Sequence, residues 1–336
     1  MSYTMKQNDA NSLIIVIVNY RTPELTIDCL RSLVDEVRSL AGTSVVVTDN
    51  ASGDVSVARI QAAIETEGWN NWASVMPLQH NGGFAFGNNA AIRSVLKSNN
   101  PPSYFLLLNP DTIVRPNAID ILVDFMNRHP QVGIAGSRLE DPDGTPQRSA
   151  FRFPSLLSEL DSGLHLGIVT KLLSKWVVAP PVPKDKCQTN WVAGASMIIR
   201  REVFEQIGLM DEGYFMYSEE MDFCLQAKRA GWSCWYVPQS RVVHLVGQSS
   251  GLNNTKCPSK RLPQYLFDSR RRYFLKNYGW LYTALADHTW ASSYVLWQLR
   301  RVIQRKPYED PPKLLIDFLR NSFFIRGGKF NPPKTS

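Results

Sequence analysis

The sequence predicts an α/β protein with a mostly parallel central sheet, flanking helices and a helical C-terminal extension. Two observations carry this expectation. Through the first hundred residues, short β-branched apolar runs alternate with stretches of helical periodicity, an order that calls for parallel strands joined by crossover helices. The runs also end on polar residues: Asn19, Asp49, and Asp111 just beyond Leu106-Leu107-Leu108. Ligands of open parallel sheets sit beyond such carboxyl edges.

Leu13-Ile14-Ile15-Val16-Ile17-Val18 reads as a strand buried on both faces. Leu25, Cys29, Leu30, Leu33 and Val37 then fall at helical spacing over residues 24–40. A second strand is expected at 45–50 with a turn at Ala51-Ser52-Gly53, a helix at 55–67, and a third strand at 74–78. The loop Asn81-Gly82-Gly83 leads to a helix over 84–98 and a strand over 104–108. From about Arg148 the elements shorten. A proline-rich loop at 179–183 precedes a strand at 191–199 and a helix at 201–208. A helix at 221–230 closed by Gly231 is followed by two short strands, 234–237 and 242–243. From Tyr265 the chain becomes helical, aromatic and basic. The expected organisation is a polar tail (1–12), a main domain (13–280) and a helical extension (281–336).

With 336 residues, 44% of them hydrophobic, the chain can bury one large core. Charged residues are only 20%, which excludes a disordered polyelectrolyte. A net charge of +7 and a pI near 9.1 favour anionic partners: nucleoside diphosphates, nucleic acid or acidic lipid headgroups. Cys29, Cys187, Cys224, Cys234 and Cys257 form no CxxC pair, which points to reduced thiols. The first residues lack a signal-peptide plan, and no apolar run approaches the ~20 residues of a bilayer span. The expected location is cytoplasmic, with peripheral attachment to the inner face of the cytoplasmic membrane left open.

A buried strand that delivers one acid, Asp111, to its tip suits a metal ion and a phosphate-bearing ligand. A second acidic cluster, Tyr217-Ser218-Glu219-Glu220-Met221-Asp222, can supply a general base, and Val242-Val243-His244 follows it. Together they suggest group transfer from an activated donor. A diphosphate leaving group needs its developing charge neutralised, which a divalent cation does well. Mg²⁺ and Mn²⁺ take oxygen ligands, and Mn²⁺ also accepts imidazole. An attacking hydroxyl must lose its proton to a carboxylate nearby.

Six motifs carry a family resemblance: Val18-Asn19-Tyr20-Arg21, Thr48-Asp49-Asn50-Ala51-Ser52, Asn81-Gly82-Gly83-Phe84-Ala85-Phe86-Gly87-Asn88-Asn89, Leu108-Asn109-Pro110-Asp111, Trp191-Val192-Ala193-Gly194-Ala195, and Phe215 through Asp222. In this order they resemble family 2 glycosyltransferases, closest to the bacterial rhamnosyltransferase branch, over about residues 13–279. The resemblance implies a GT-A fold, a dTDP- or UDP-sugar donor, inversion at the anomeric carbon, and Mg²⁺ or Mn²⁺. A sugar such as L-rhamnose would pass to a bacterial surface glycan or a lipid-linked acceptor. It makes Asp111 the leading metal ligand. Asn109 replaces the first of the two acids common in this motif, and His244 can help in its place. Glu220 matches the usual base position, with Glu219 as the alternative, while Asp222 starts the helix or orders the loop. Asp49 would accept from the base or ribose, with Asn19 and Arg21 nearby. Asn81, Gly82 and Gly83 would let the backbone approach the nucleotide, and Asn88 and Asn109 fall in the same donor-binding set. Trp191 would pack beside donor or acceptor, or stand in the core.

The C-terminal region offers Arg270-Arg271-Arg272 and, later, Leu315, Phe318, Leu319 and Phe323 on one helical face, with Lys313 and Arg320 on the other side. That pattern suits an anionic membrane surface. It suits equally well packing on the main domain or on a second subunit in a homodimer. Two other functions compete. A nucleotidyltransferase would show a glycine-rich basic loop after the first strand, where Asn19-Tyr20-Arg21-Thr22-Pro23 stands. A non-catalytic nucleic-acid-binding protein would draw on the arginine triplet, but no nucleic-acid motif accompanies it.

Overall fold

A computed structural model of the chain describes residues 12–245 and 261–329. The first half follows the alternating plan. β1 (Leu13–Asn19) leads to α1 (Pro23–Ser39), β2 (Thr43–Asp49) to α2 (Ser56–Thr66), β3 (Ala73–Pro77) to α3 (Gly83–Leu96), and β4 (Tyr104–Leu108) ends the series. Next come β5 (Thr112–Val114), α4 (Ala118–Arg128), β6 (Val132–Glu140), β7 (Ala150–Phe151), α5 (Leu156–Leu164) and α6 (Gly167–Leu172). β8 (Cys187–Thr189), β9 (Trp191–Val192), β10 (Ser196–Arg200), α7 (Arg201–Ile207), α8 (Glu219–Arg229) and β11 (Ser233–His244) follow. The chain closes with α9 (Gln264–Ile303), α10 (Leu314–Asn321) and α11 (Phe323–Arg326).

Among the described residues nine strands form one sheet in the order β3-β2-β1-β4-β10-β6-β11-β5, with β8 on β11. β3, β2, β1 and β4 are parallel, β10 enters antiparallel between β4 and β6, and β11 runs parallel to β6. Side chains alternate between faces, so one run of apolar residues feeds two cores. Ile15, Ile17, Leu106 and Leu108 meet α1 and α4 on one face; Val16, Phe105 and Leu107 meet α3 and α7 on the other. The β1–β2 register sets Asn19 directly beside Asp49, which gathers two of the polar tips on one edge.

Two expected elements change. The strand expected over 191–199 is two strands, because β9 pairs with β7 in a separate two-stranded sheet, whereas β10 pairs with β4 and β6 in the large one. The short strands expected at 234–237 and 242–243 are one long strand, β11, whose register slips between Val237 and Arg241.

α9 is 40 residues long and breaks at Gly279, which has φ 79°. Its first half packs Tyr273 and Phe274 against Tyr214, Met221 and Leu225 of the α8 region. Its second half lies on α5, where Gly163 permits close approach: a Cβ there would stand 2.6 Å from the Cβ of Ser293. The arginine triplet is consumed inside the protein. Arg270 pairs with Glu159 and Asp287, Arg271 with Asp268, and Arg272 with Asp211. This removes the motive for a nucleic-acid surface there. Nor do Leu315, Phe318, Leu319 and Phe323 form one free face. Phe318 is buried against Trp290, ring centroids 4.1 Å apart, and under the Arg270 guanidinium. No helix among the described residues is long and apolar enough to cross a membrane.

Candidate active site

At the β1 and β2 tips a closed hydrogen-bond network holds the loops. Asp49 accepts from Asn19 Nδ2 (2.7 Å), Ser52 Oγ (2.6 Å) and Ser52 N (2.9 Å). Asn19 Oδ1 accepts from Thr22 N, Thr22 Oγ1 and Thr26 Oγ1 at 3.0–3.2 Å. Arg21 bonds Ser52 through its N–H and Nε, and its guanidinium lies over the Tyr20 ring at 5.0 Å. Asn19 and Asp49 are buried behind the cleft wall, which Val18, Tyr20, Thr22 and Asn50 supply, while Arg21 is exposed.

The glycine loop is stitched to the acidic loop. Gly83 N donates to Asn81 Oδ1 (3.0 Å), Gly83 O accepts from Asn50 Nδ2 (2.9 Å), and Phe84 N donates to Phe215 O (3.0 Å). Gly83 has φ 89°, and a Cβ there would stand 1.8 Å from Phe215 O. The close backbone approach expected toward a nucleotide is here made to Phe215. Asn81, Gly83 and Phe84 line the cleft, whereas Gly82 faces Phe86 and Asn88 donates within α3 to Phe84 O.

After β4 the chain turns through Asn109 and Pro110 and re-enters the sheet as β5. β5 pairs antiparallel with β11 so that His244 stands opposite Thr112. This register brings His244 Nε2 to 3.5 Å from Asp111 Oδ1 and 3.5 Å from Asn109 Nδ2. Asp111 is buried, and its backbone oxygen accepts from Leu245 N (2.9 Å). No group of three or more His, Cys, Asp or Glu able to hold a metal occurs among the described residues. A buried carboxylate beside an imidazole nevertheless suits Mn²⁺, or Mg²⁺ through the carboxylate alone, when phosphate oxygens and water complete the shell. The donor set fits a cation that arrives with a diphosphate.

Across the cleft, Tyr217 (φ 67°) and Ser218 (φ 74°) are consecutive non-glycine residues in the left-handed region. Such conformations cost about 1–3 kcal/mol each and cluster at functional sites. Here they aim Glu219 and Glu220, the first residues of α8, into the cleft. Burial pushes the Glu219 carboxyl well above the usual carboxylate range, and Glu220 beside it pushes further. Burial also raises Glu220, although bonds from backbone N–H groups, including that of Gly194, hold it down in part. One buried oxygen of each, Oε2, has no hydrogen-bond partner among the described residues. Asp222 turns away from the cleft to take Lys276 Nζ (2.6 Å), Asn277 Nδ2 (2.7 Å) and Gln226 Nε2 (3.3 Å). It ties α8 to α9.

Trp191 stacks on Phe151 with centroids 4.2 Å apart and donates Nε1–H to Arg152 O, behind the cleft. The cleft encloses about 290 Å³ and brings Asn81, Gly83, Asn109, Asp111, Glu219, Glu220 and His244 together. A larger hollow of about 570 Å³ beside Pro180, Lys228 and Trp232 holds no carboxylate, so group-transfer chemistry belongs to the smaller one. Sequence reasoning did not single out Tyr20, Asn50, Phe84, Met216 or Tyr217 as cleft residues. Each lies within or beside a motif already noticed, and that adjacency was the available signal.

The family profile described as Glycosyltransferase like family 2 matches residues 10–257. The N-acetylglucosaminyl-diphospho-decaprenol L-rhamnosyltransferase of Mycobacterium tuberculosis is 34% identical over 153 residues, 44% of this chain and 48% of that protein. Rhamnosyltransferase WbbL of Escherichia coli K12 is 31% identical over 169 residues, 48% of this chain and 60% of that protein. The aligned segment thus spans about half the length of these curated relatives. The low-salt glycan biosynthesis hexosyltransferase Agl10 of Haloferax volcanii is 27% identical over 81% of this chain and 78% of that protein. Among solved structures, GalNAc-T7 with UDP, GalNAc and Mn²⁺ has TM-score 0.57 and 17% identity, covering 92% of this chain and 54% of that one. The Pyrobaculum calidifontis mannosyltransferase PcManGT with GDP-Man and Mn²⁺ has TM-score 0.53 and 13% identity, covering 94% and 87%. These two likenesses concern the fold, and they bear out the GT-A architecture expected from the motifs. Because the family profile spans most of its length, the chain belongs to the glycosyltransferase-like family 2.

Proposed function

We propose that the chain transfers a sugar from a nucleoside diphosphate donor to a hydroxyl of a lipid-linked glycan, with inversion at the anomeric carbon. The observation that carries this reading is one cleft lined on one side by the Asp111–His244 pair and on the other by Glu219 and Glu220. Two curated relatives are named as rhamnosyltransferases, one of them for an N-acetylglucosaminyl-diphospho-decaprenol acceptor. On that support the donor is L-rhamnose on dTDP, with UDP as the alternative nucleotide. The acceptor is a growing surface glycan on a polyprenyl diphosphate carrier at the inner face of the cytoplasmic membrane.

In the reaction, the acceptor oxygen bonds to the anomeric carbon as the bond from that carbon to the diphosphate oxygen breaks. Glu220, deprotonated, takes the acceptor proton at the carboxylate oxygen left without a partner. Glu219 is the second candidate, and burial together with the Glu220 charge keeps it protonated to higher pH than Glu220. Asp111 and His244 would hold Mg²⁺ or Mn²⁺, the imidazole through Nε2, in place of its contact with Asn109 Nδ2. Bound there, the cation supplies neutralisation of the charge that grows on the leaving diphosphate. Asn19, Asp49 and Ser52 keep the β1 and β2 loops shaped so that Tyr20 and Asn50 face the nucleotide. Gly83 holds the donor-side loop against the base-bearing loop.

The test is transfer from a panel of nucleotide sugars with Mg²⁺ or Mn²⁺. Asp111→Ala should lower transfer about 10²–10³-fold, in the range of lost electrostatic stabilisation, with the melting curve retained. EDTA should stop the wild type, and added Mn²⁺ should restore it. Undiminished transfer in chelated buffer would overturn the metal assignment while leaving the transferase reading standing.

A further inference from the structure

We propose that the outer face of the second half of α9, residues 281–303, lies in the surface of an anionic lipid bilayer. This half-helix carries large apolar side chains on two opposite sides. Thr283, Ala286, Trp290, Ser293, Tyr294 and Trp297 recur at helical spacing and point toward α5 and α10. The opposite side carries Leu281, Leu285, Val295, Leu296, Leu299 and Ile303, all exposed, from 42% at Val295 to 81% at Ile303. A helix apolar all round is ordinarily buried all round, and scattered exposed apolar residues are ordinary. This set instead keeps to one side of the helix over about 33 Å at 1.5 Å per residue, as two clusters, Leu281 and Leu285, then Val295, Leu296, Leu299 and Ile303, with exposed His288 and Ser292 between them.

Neighbouring elements extend the row at both ends. Trp280, itself exposed, stacks loosely on Phe323 at the start of α11, where Phe324 and Ile325 are both 64% exposed. At the other end Arg300 donates to Leu164 O and His165 O, which places α6 beside the last turns of α9. α6 and the turn after it expose Ile168, Leu172 and Trp176, interleaved with exposed Lys171 and Lys175.

The charge around the row selects the occupant. Arg305, Lys306, Lys313, Arg320 and Arg326 are exposed on the segment that follows. The nearby acids are already engaged: Asp287 with Arg270, Asp317 with Arg261, and Asp310 with Tyr294 and Gln298. Glu309 is the remaining exposed acid of this segment. A second copy of the chain would oppose this cationic rim with the same cations. Anionic headgroups complement it, and an apolar face flanked by Lys and Arg is the pattern of a helix lying in the bilayer interface. The proposal does not depend on the sugar or nucleotide of the reaction proposed above.

The test is co-sedimentation of the full-length protein with phosphatidylcholine vesicles, with and without phosphatidylglycerol. The wild type should pellet with the anionic vesicles, and less so at 1 M salt, where the Debye length falls to about 3 Å. Leu296→Gln combined with Leu299→Gln should weaken that binding at least about tenfold. Both positions are exposed, so the melting temperature should stay unchanged, which separates lost docking from lost folding. Vesicle binding by the double variant equal to wild type would overturn the proposal. So would a wild type that ignores vesicles yet shows a concentration-dependent dimer abolished by the same substitutions, which would make the row a subunit interface.

Discussion

Glu219 and Glu220 are adjacent carboxylates in one cleft, and both hold their protons more tightly than a free glutamate. A base is useful only when deprotonated, so transfer should climb as pH rises above the usual glutamate range. Glu220→Gln should lower kcat about 10²–10⁴-fold, the typical worth of a general base, with donor KM nearly unchanged. Glu219→Gln should be milder and should leave the rising limb of the profile nearly in place, because burial and Glu220 push Glu219 up further, so that it still holds its proton where Glu220 ionises. If Glu219→Gln proved the more damaging, the base assignment would pass to Glu219. Stability follows the same linkage with a definite sign. A folded-state pKa above the unfolded value contributes stability that is full below the unfolded value and is lost as pH rises through the folded one. Glu219→Gln should therefore raise the melting temperature at pH 8, by the few degrees that about 1 kcal/mol gives in a chain of this size. It should leave the value near pH 4 almost unchanged, and thermal melts at the two pH values check this.

At the scale of elements, the base-bearing turn is held from two sides. The Gly83 loop grips Phe215 from α3, and Asp222 grips Lys276 and Asn277 from α9. Gly83→Ala must place a methyl group against a carbonyl oxygen in a left-handed backbone. A loss of at least about 2–3 kcal/mol is expected, read as a lower urea midpoint together with reduced transfer. Asp222→Ala leaves Lys276 its second partner, Asp211, at 2.9 Å. Lys276 is also 35% exposed, so solvent screens the lost pair. The expected cost is about 2 kcal/mol, below that of a fully buried pair, with most of the activity surviving at low temperature.

On the scale of the whole molecule, α10 and α11 close over α9. Arg261 pairs bidentately with Asp317, Phe318 covers Trp290, and Tyr294 donates to Asp310. Truncation before Pro311 would remove the cover from Trp290 and leave Arg261 without Asp317. It should lower the melting temperature by several degrees and red-shift the tryptophan emission. An unchanged melting curve would mean that this cover contributes nothing to the fold.

What the sequence determined by itself is what local patterning encodes. β-branched runs of strand length, helical spacing between them, and polar residues at three strand ends were enough for a parallel sheet with a site at its edge. That Asp111, Glu219 and Glu220 line a cleft was legible because an acid that ends an apolar run, or interrupts an aromatic one, does not belong in a core. Tertiary structure alone decided which polar groups face the cleft. Asp49 and Asn19 end strands thirty residues apart in sequence, and only the β1–β2 register sets them side by side, where they bond each other. His244 reaches Asp111 only because β5 folds back against β11 with Thr112 opposite it. The arginine triplet reads as a surface patch until Glu159, Asp211 and Asp287, all distant along the chain, supply its partners. Periodicity is a property of neighbours in sequence, whereas hydrogen bonds, ion pairs and ligand sets are settled by strand register and helix packing between segments many residues apart.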